Sequence, residues 1–254
     1  MTQLRIATYN VHGCVGVDGR RSVERIVDVL RRCEADVIAL QELFVEGPLG
    51  GPNDQPSEIA KRLGMQCVFT ATAVGRERRY GHGLLARKPV RLLQHGRLPT
   101  LPGKPWLERR SALLAAVGLG PEHEMHVLTT HLGLDRRERL AQADALLGMQ
   151  WLGGRRRTEP LVVCGDLNCM PYSRVYRRIT GEYRDVQEGR GPLRPRATWP
   201  SVLPVLRIDH LLVSRDVEVR SATVGRWPLA RVASDHLPVI ATIDVPEGSG
   251  GAPP

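Results

Sequence analysis

The chain has 254 residues, 42% hydrophobic and 25% charged, enough to bury a substantial core. Its five cysteines are odd in number and lack CxxC spacing, which excludes a disulfide framework and a zinc knuckle, and no run reaches the roughly 18 to 20 apolar residues of a membrane-spanning helix. The formal net charge of +9 rests almost wholly on arginine, a side chain that grips phosphate bidentately; the same bias also arises from codon composition, so charge alone does not name an anionic partner.

Strand-like sequence begins at Leu4 with no charged, then apolar, leader before it, so a soluble, cytoplasmic protein is expected. The run from Ile6 reads as a strand ending at Asn10 and Gly13. Val23, Ile26, Val27 and Leu30 recur at helical spacing over 22–33, and a strand follows over 36–41 with Glu42 at its end. A second helix is predicted over 57–63. Extended segments follow over 65–70, 83–86, 90–98, 111–117 and 125–130, punctuated by prolines, as consecutive antiparallel strands are. Asp135 and Glu138 form a capping-box pattern, and Leu140, Ala143, Leu147 and Trp151 predict the buried stripe of a helix ending at Gly153 and Gly154. After the strand at Leu161 come a short helix over 173–179, a proline-rich loop over 189–204 containing Trp199, and closing strands over 208–213, 217–224 and 237–245. Residues 247–254 read as a disordered tail. Neighbouring strands interrupted by isolated helices argue for an α/β fold of two packed mixed sheets flanked by helices, in one domain over 1–246.

The segment Val162-Val163-Cys164-Gly165-Asp166-Leu167-Asn168 places an acid and an amide at the end of an apolar strand, a rigid mount for chemistry. An Asx turn would use the same residues. Other strands also end or begin in polar residues: Asn10, Glu42, His131, Asp209 and the pair Asp235-His236. An acid that follows a buried run is costly unless paired. His12 and His210 read as structural, His82 and His95 as surface or loop residues. Tyr80 and Trp199 either stack on a substrate group or cover apolar edges, and Cys14 and Cys169 are expected to be partly exposed. Arg110 either reaches a substrate phosphate or sits in a surface salt bridge. The clusters at Arg76, Arg78, Arg79, at Arg109, Arg110 and at 155–157 are candidate contact loops.

In order, TYNVHG, ALQE, GHGLLAR, TTHLG, VVCGDLN, RIDH and ASDHLPV resemble the endonuclease/exonuclease/phosphatase superfamily from Arg5 to about Val245. The resemblance implies a four-layer α/β sandwich and a phosphoester hydrolase using Mg2+ or Mn2+. It assigns Glu42, Asn10 and Asp235 to the metal, Asp166 to activating the attacking water, and Asn168 to holding that water or a phosphate oxygen. It makes Asp209 the partner of His236, which donates to a non-bridging oxygen or acts as a base. It makes His131 a phosphate contact and proton donor to the leaving oxygen. Apurinic endonucleases carry an acid where this chain has His12 and Pro-Asn where it has Thr130-His131, so that branch is disfavoured. His131 resembles instead the sphingomyelinase, inositol-phosphate phosphatase and pancreatic-type deoxyribonuclease branches, and the chain looks most like small bacterial members of uncertain substrate. The expected activity is phosphodiester hydrolysis on nucleic acid or an anionic phospholipid head group, by a monomer. A phosphomonoesterase for a small metabolite and a noncatalytic binding module are the alternatives.

Overall fold

The computed structural model describes residues 1–47, 50–51, 53–74, 78–121, 123–154, 159–188 and 197–247. Two sheets face each other. In the first, β12 (Glu218–Val224), β13 (Val239–Val245), β1 (Thr2–Asn10), β2 (Val37–Glu46), β5 (Arg78–Ala86) and β4 (Gln66–Val74) lie in that order, with the two-residue β3 (Asn53–Asp54) on β2. The second runs β10 (Arg184–Asp185), β11 (Asp209–Val213), β9 (Leu161–Asp166), β8 (His123–His131), β7 (Ser111–Gly120) and β6 (Val90–Arg97).

Each sheet holds one parallel pair, β1 with β2 and β8 with β9. A parallel pair needs a long crossover, and the chain supplies α1 (Val23–Cys33) for the first and α3 (Arg136–Leu147) for the second. α2 (Gln55–Leu63) packs on α1, α4 (Arg174–Thr180) packs on α3, and a single turn, α5 (Ala230–Ala233), also touches α1. Period-2 alternation then sorts the strands of the second sheet. Val127, Val162 and Leu211 face the first sheet in one core cluster, while Leu128, Val163 and Leu212 pack with Leu146, Val175 and Ile179 of the outer helices. The result is the expected four-layer sandwich.

The cap at Asp135 falls where the sequence placed it, and serines cap two other helices. Ser22 Oγ accepts from Arg25 N, Asp135 Oδ1 from Arg137 N and Glu138 N, and Ser173 Oγ from Tyr176 N; each satisfies an orphan donor of a first turn. The end of α3 differs from expectation. It stops at Leu147, because the chain turns at Gly148, whose carbonyl accepts from Trp151 N. Leu146 is buried with Ala143, Leu140 and Leu147 only partly, and Trp151 enters the same core cluster from the turn. Within the proline-rich loop, residues 189–196 lie outside the described ones, and Trp199 pairs with Leu206 in a short bridge. Glu247 binds the Met1 amino group at 2.6 Å, while 248–254, the rest of the expected tail, lie outside the described residues.

Candidate active site

Both parallel pairs end at the same edge of the sandwich, the place where α/β sheets leave their carboxyl ends free for ligands. Asn10 is in register with Gln41, and His131 with Asp166. Asp209, the first residue of β11, lies opposite Asp166 on the other side. His131, Asp166 and Asp209 thus form one row across three strands. They share the parity of Val127, Val162 and Leu211, so all three face the first sheet.

Two glycine-like conformations shape this edge. Gly165 has φ +132°, and a Cβ there would collide with the Thr130 carbonyl oxygen; a side chain would force β8 and β9 apart, which explains why glycine precedes Asp166. Between Leu40 and Leu43 the register of β2 against β5 shifts, and Glu42 sits in the bulge at φ +61°. A non-glycine residue held there costs roughly 1 to 3 kcal/mol, and the bulge re-aims its carboxylate toward the row. Beneath it Gln41 stitches the sheets, donating from Nε2 to Thr8 Oγ1 at 3.1 Å and Thr129 Oγ1 at 2.9 Å.

The side chains converge on one oxygen. Asp166 Oδ2 receives Asn10 Nδ2 at 3.2 Å and lies 3.3 Å from His131 Nε2 and 3.6 Å from His236 Nε2. Asn10 Nδ2 also donates to Glu42 Oε1 at 2.9 Å, while Asn10 Oδ1 accepts from His12 N. The amide nitrogen of Asn10, rather than its oxygen, therefore points between the two carboxylates. His236 Nδ1 lies 2.9 Å from Asp209 Oδ2. Ser234, two residues earlier, donates to the Asn10 carbonyl and accepts from His236 N, tying the last motif to the first.

Charge is divided unequally between the two imidazoles. Burial works against charging His236, yet Asp209 and Asp166 outweigh it and push the ring up to about 10. His131 goes the other way: burial first, then Arg110 and the two other histidines, hold it well below its ordinary value. Arg110 Nη1 can only donate and lies 3.0 Å from His131 Nδ1. Each ring nitrogen faces one donor and one carboxylate oxygen: Nδ1 faces Arg110 and, at 3.6 Å, Glu42 Oε1, while Nε2 faces Asn168 Nδ2 and, at 3.3 Å, Asp166 Oδ2. Asn168 Nδ2, 3.0 Å from that Nε2, donates to the Leu132 carbonyl at 2.9 Å. Burial and the neighbouring Asp209 raise the Asp166 carboxyl well above the usual range, and burial raises Glu42 as well.

Arg110 is not a surface residue. It is buried, with Nη2 on Glu108 Oε2 at 3.1 Å. His82 is also buried, on β5 with Nε2 near Thr72 Oγ1, and burial with Arg110 pushes it down to about 4. Cys14 and Cys169 are buried too, and burial pushes the Cys14 thiol up to about 12, which leaves no reactive thiolate there. These positions look polar or amphipathic in sequence; the packing of two sheets and the helical layers closes over them. His95 is exposed, as expected, though on strand β6. His12 is partly exposed at the rim, and His210 is buried against Asp185. Trp199 Nε1 donates to Asp235 Oδ2 at 3.1 Å. Tyr80 packs on Phe44, ring centroids 5.0 Å apart. Arg78 lies over the Phe44 ring and pairs with Glu46, and Arg79 binds the Gly47 carbonyl; Arg76 and 155–157 lie outside the described residues.

One group escapes sequence reasoning. Asp185 is buried and accepts at Oδ2 from Arg207 Nη2, from Tyr176 Oη at 3.0 Å and from His210 Nδ1 at 3.3 Å. His210 Nε2 then donates to the Cys169 carbonyl at 2.8 Å, bracing the loop that carries Asn168. The only sequence signal is Arg207 and His210 flanking Asp209, which shows that charge is nearby but not which acid receives it.

The row opens into a cavity of about 920 Å³ lined by Glu42, His131, Asp166, Asn168 and His236, with Arg110, Trp199 and Leu206 also on its walls. For a divalent cation the donor set fits. Glu42, Asp166 and Asp209 bring three carboxylates to one place against the His236 imidazolium, Asp209 Oδ1 has no hydrogen-bond partner among the described residues, and carboxylate oxygens of Asp166 and Asp209 lie within 4.8 Å of each other. Oxygen donors suit magnesium or manganese.

The sequence matches the model of the endonuclease/exonuclease/phosphatase family over residues 7–236. It is 27% identical over 258 residues to the uncharacterized protein YbhP of Escherichia coli (strain K12), spanning 94% of this chain and 95% of YbhP. The crystal structure of an endonuclease/exonuclease/phosphatase from Beutenbergia cavernae DSM 12333 has TM-score 0.73 at 23% identity, covering 98% of this chain and 73% of that one. The mannosyl-6-phosphatase Bt3783 of Bacteroides thetaiotaomicron VPI-5482 has TM-score 0.71 at 18% identity, covering 95% and 99%. The ordered motifs, the two-sheet sandwich and the match across most of the chain agree: the chain belongs to the endonuclease/exonuclease/phosphatase family, whose members are phosphoesterases.

Proposed function

We propose that the protein is a divalent-metal-dependent phosphodiester hydrolase, a single catalytic domain over 1–246, acting on nucleic acid or a phospholipid head group by in-line attack of water. The observation that carries this reading is the convergence of Asn10, His131 and His236 on Asp166 Oδ2 at 3.2, 3.3 and 3.6 Å.

Asp166, held rigid at the end of β9, is the acceptor for the proton of the attacking water; its raised pKa makes it a better base than an exposed carboxylate. Asn168 orients that water or a phosphate oxygen. His236, charged through Asp209, donates to a non-bridging oxygen as negative charge grows on phosphorus. His131 is neutral, so it contributes a hydrogen bond to the phosphate rather than an acid's proton; protonating the leaving oxygen falls to His236 or to solvent. The Arg110 charge, with burial, keeps His131 neutral. Glu42 would hold the metal, with Asp235 and Asn10 beside it, the Asn10 oxygen accepting from His12 N; when bound the metal would supply Lewis-acid stabilisation of the phosphoryl oxygens. Attack forms one P–O bond, the bond to the leaving oxygen breaks, and Asp166 returns its proton to solvent.

Asp166→Asn and His236→Gln keep the shape of their side chains. Each should lower turnover of a phosphodiester substrate at least a hundredfold with unchanged far-UV circular dichroism, and Mg2+ should raise the wild-type melting temperature but not that of Glu42→Gln. Near-wild-type turnover in either of the first two variants, or activity confined to phosphomonoesters, refutes the proposal.

A further inference from the structure

Large exposed hydrophobic side chains are not scattered over this protein. Twelve occur among the described residues; seven of them lie in loops at the sheet edge that carries the site, and Val17 and, on α5, Val232 lie together beside the same edge. Only Met1, Leu92 and Met149 lie elsewhere. The strand directions establish this. β7 begins and β8 ends there, so the β6–β7 loop with Trp106 (73% exposed) and the β8–α3 loop with Leu134 (71%) both rim the site. The loop after Asp166 adds Tyr172 (75%) and Met170. The loop entering β11 at Asp209 adds Leu203 (71%), with Val202 and Val205 beside it. Lys104 ties the first two loops together through Asp135 at 2.6 Å. Single exposed apolar residues are ordinary; their concentration on one face marks an interaction surface.

Cations share that face. Arg136, Arg137 and Arg174 are exposed and line the cavity, and none makes an ion pair among the described residues. They also stand in the first turns of α3 and α4, where the helix dipole disfavours positive charge. Their placement costs helix stability and leaves three charges aimed outward beside the mouth.

We infer that the loop face around the site docks on an anionic lipid bilayer, the apolar tips entering the head-group region and the three arginines meeting lipid phosphates. Aliphatic tips decide between lipid and nucleic acid. Trp106 and Tyr172 are able to stack on bases, but Leu134, Met170, Val202, Leu203 and Val205 find no apolar partner on a phosphodiester backbone, whereas an interfacial surface buries such side chains about 5 to 10 Å deep. The inference rests on the proposed hydrolase only for what is then cleaved, a lipid head-group phosphoester; the docking itself does not.

Sedimentation with vesicles tests the docking without any turnover. Wild-type protein should bind vesicles of phosphatidylcholine mixed with phosphatidylglycerol well above vesicles of phosphatidylcholine alone. Trp106→Ser/Leu203→Ser, at two exposed positions outside the cavity, should weaken binding at least tenfold while hydrolysis of a water-soluble phosphodiester dye stays unchanged. Arg136→Gln/Arg137→Gln should weaken binding to the anionic vesicles roughly 25-fold, at roughly fivefold per arginine. Wild-type indifference to both vesicle types overturns the inference, as does full binding by Trp106→Ser/Leu203→Ser. So does salt-sensitive binding to duplex DNA in place of vesicles. Vesicle binding with an inactive dye reaction would instead fault the hydrolase and leave the docking standing.

Discussion

Replacing Asp185 with Asn tests the buried charge network behind the site. Asp185 and His210 are fully buried and Arg207 nearly so, and the carboxylate is the acceptor for both cations and for Tyr176 Oη. Asparagine fills the same volume but cancels no charge, so Arg207 and His210 are left to hold positive charge without a counter-ion. Breaking a buried pair in this way costs about 3 to 5 kcal/mol. A second route gives a similar size. Burial opposes charging His210, but its bonds to Asp185 and to the Cys169 carbonyl lift it from 6.5 to about 9, and at 1.36 kcal/mol per unit that is about 3 kcal/mol. Because the folded value is the raised one, this stability is complete below the unfolded value near 6.5 and is lost as pH climbs through about 9. Urea unfolding of wild type and Asp185→Asn across that range gives both numbers: a gap of about 3 kcal/mol at pH 6 that narrows toward pH 10. A variant within about 1 kcal/mol of wild type at pH 6, or a gap that does not narrow, would refute the reasoning. Since His210 braces the Cys169 carbonyl, turnover should fall along with stability.

Gly165→Ala meets the Thr130 carbonyl and a φ of +132°; it should lower stability by at least about 3 kcal/mol, read by thermal unfolding, and reduce turnover even at temperatures where the variant is folded. Arg110→Gln removes the charge that, with burial, holds His131 neutral. The His131 resonance should then titrate at higher pH by NMR, and turnover should drop roughly 10- to 100-fold; an unmoved titration would mean that burial alone sets its state.

The positions of the strands were legible because apolar runs broken by proline, glycine and polar residues leave a local mark, and the cap at Asp135 does the same. Strand ends carried the candidate site residues for the same reason. Local pattern failed at the boundaries set by nonlocal pairing: β2 runs on past its bulge to Glu46 and β5 starts at Arg78, because they pair with each other. The short β3 and β10 exist only as additions to longer neighbours. The stripe read through Trp151 assumed an unbroken helix, where Gly148 turns the chain.

What the sequence determined by itself was the inventory: two mixed sheets with helices, and Asn10, Glu42, His131, Asp166, Asn168, Asp209, Asp235 and His236 in or beside strands. Only the tertiary structure decided their relations. The register of β8, β9 and β11 makes a row of His131, Asp166 and Asp209; contact between the sheets brings Asn10 and His236 onto that row; and the closing of the layers buries Arg110, His82, Cys14 and Cys169. Protonation follows from those relations. His131 and His236 look equivalent as letters and both lie near Asp166, yet an arginine stands beside the first and a second aspartate beside the other, and that difference is fixed by residues 21 and 27 positions away.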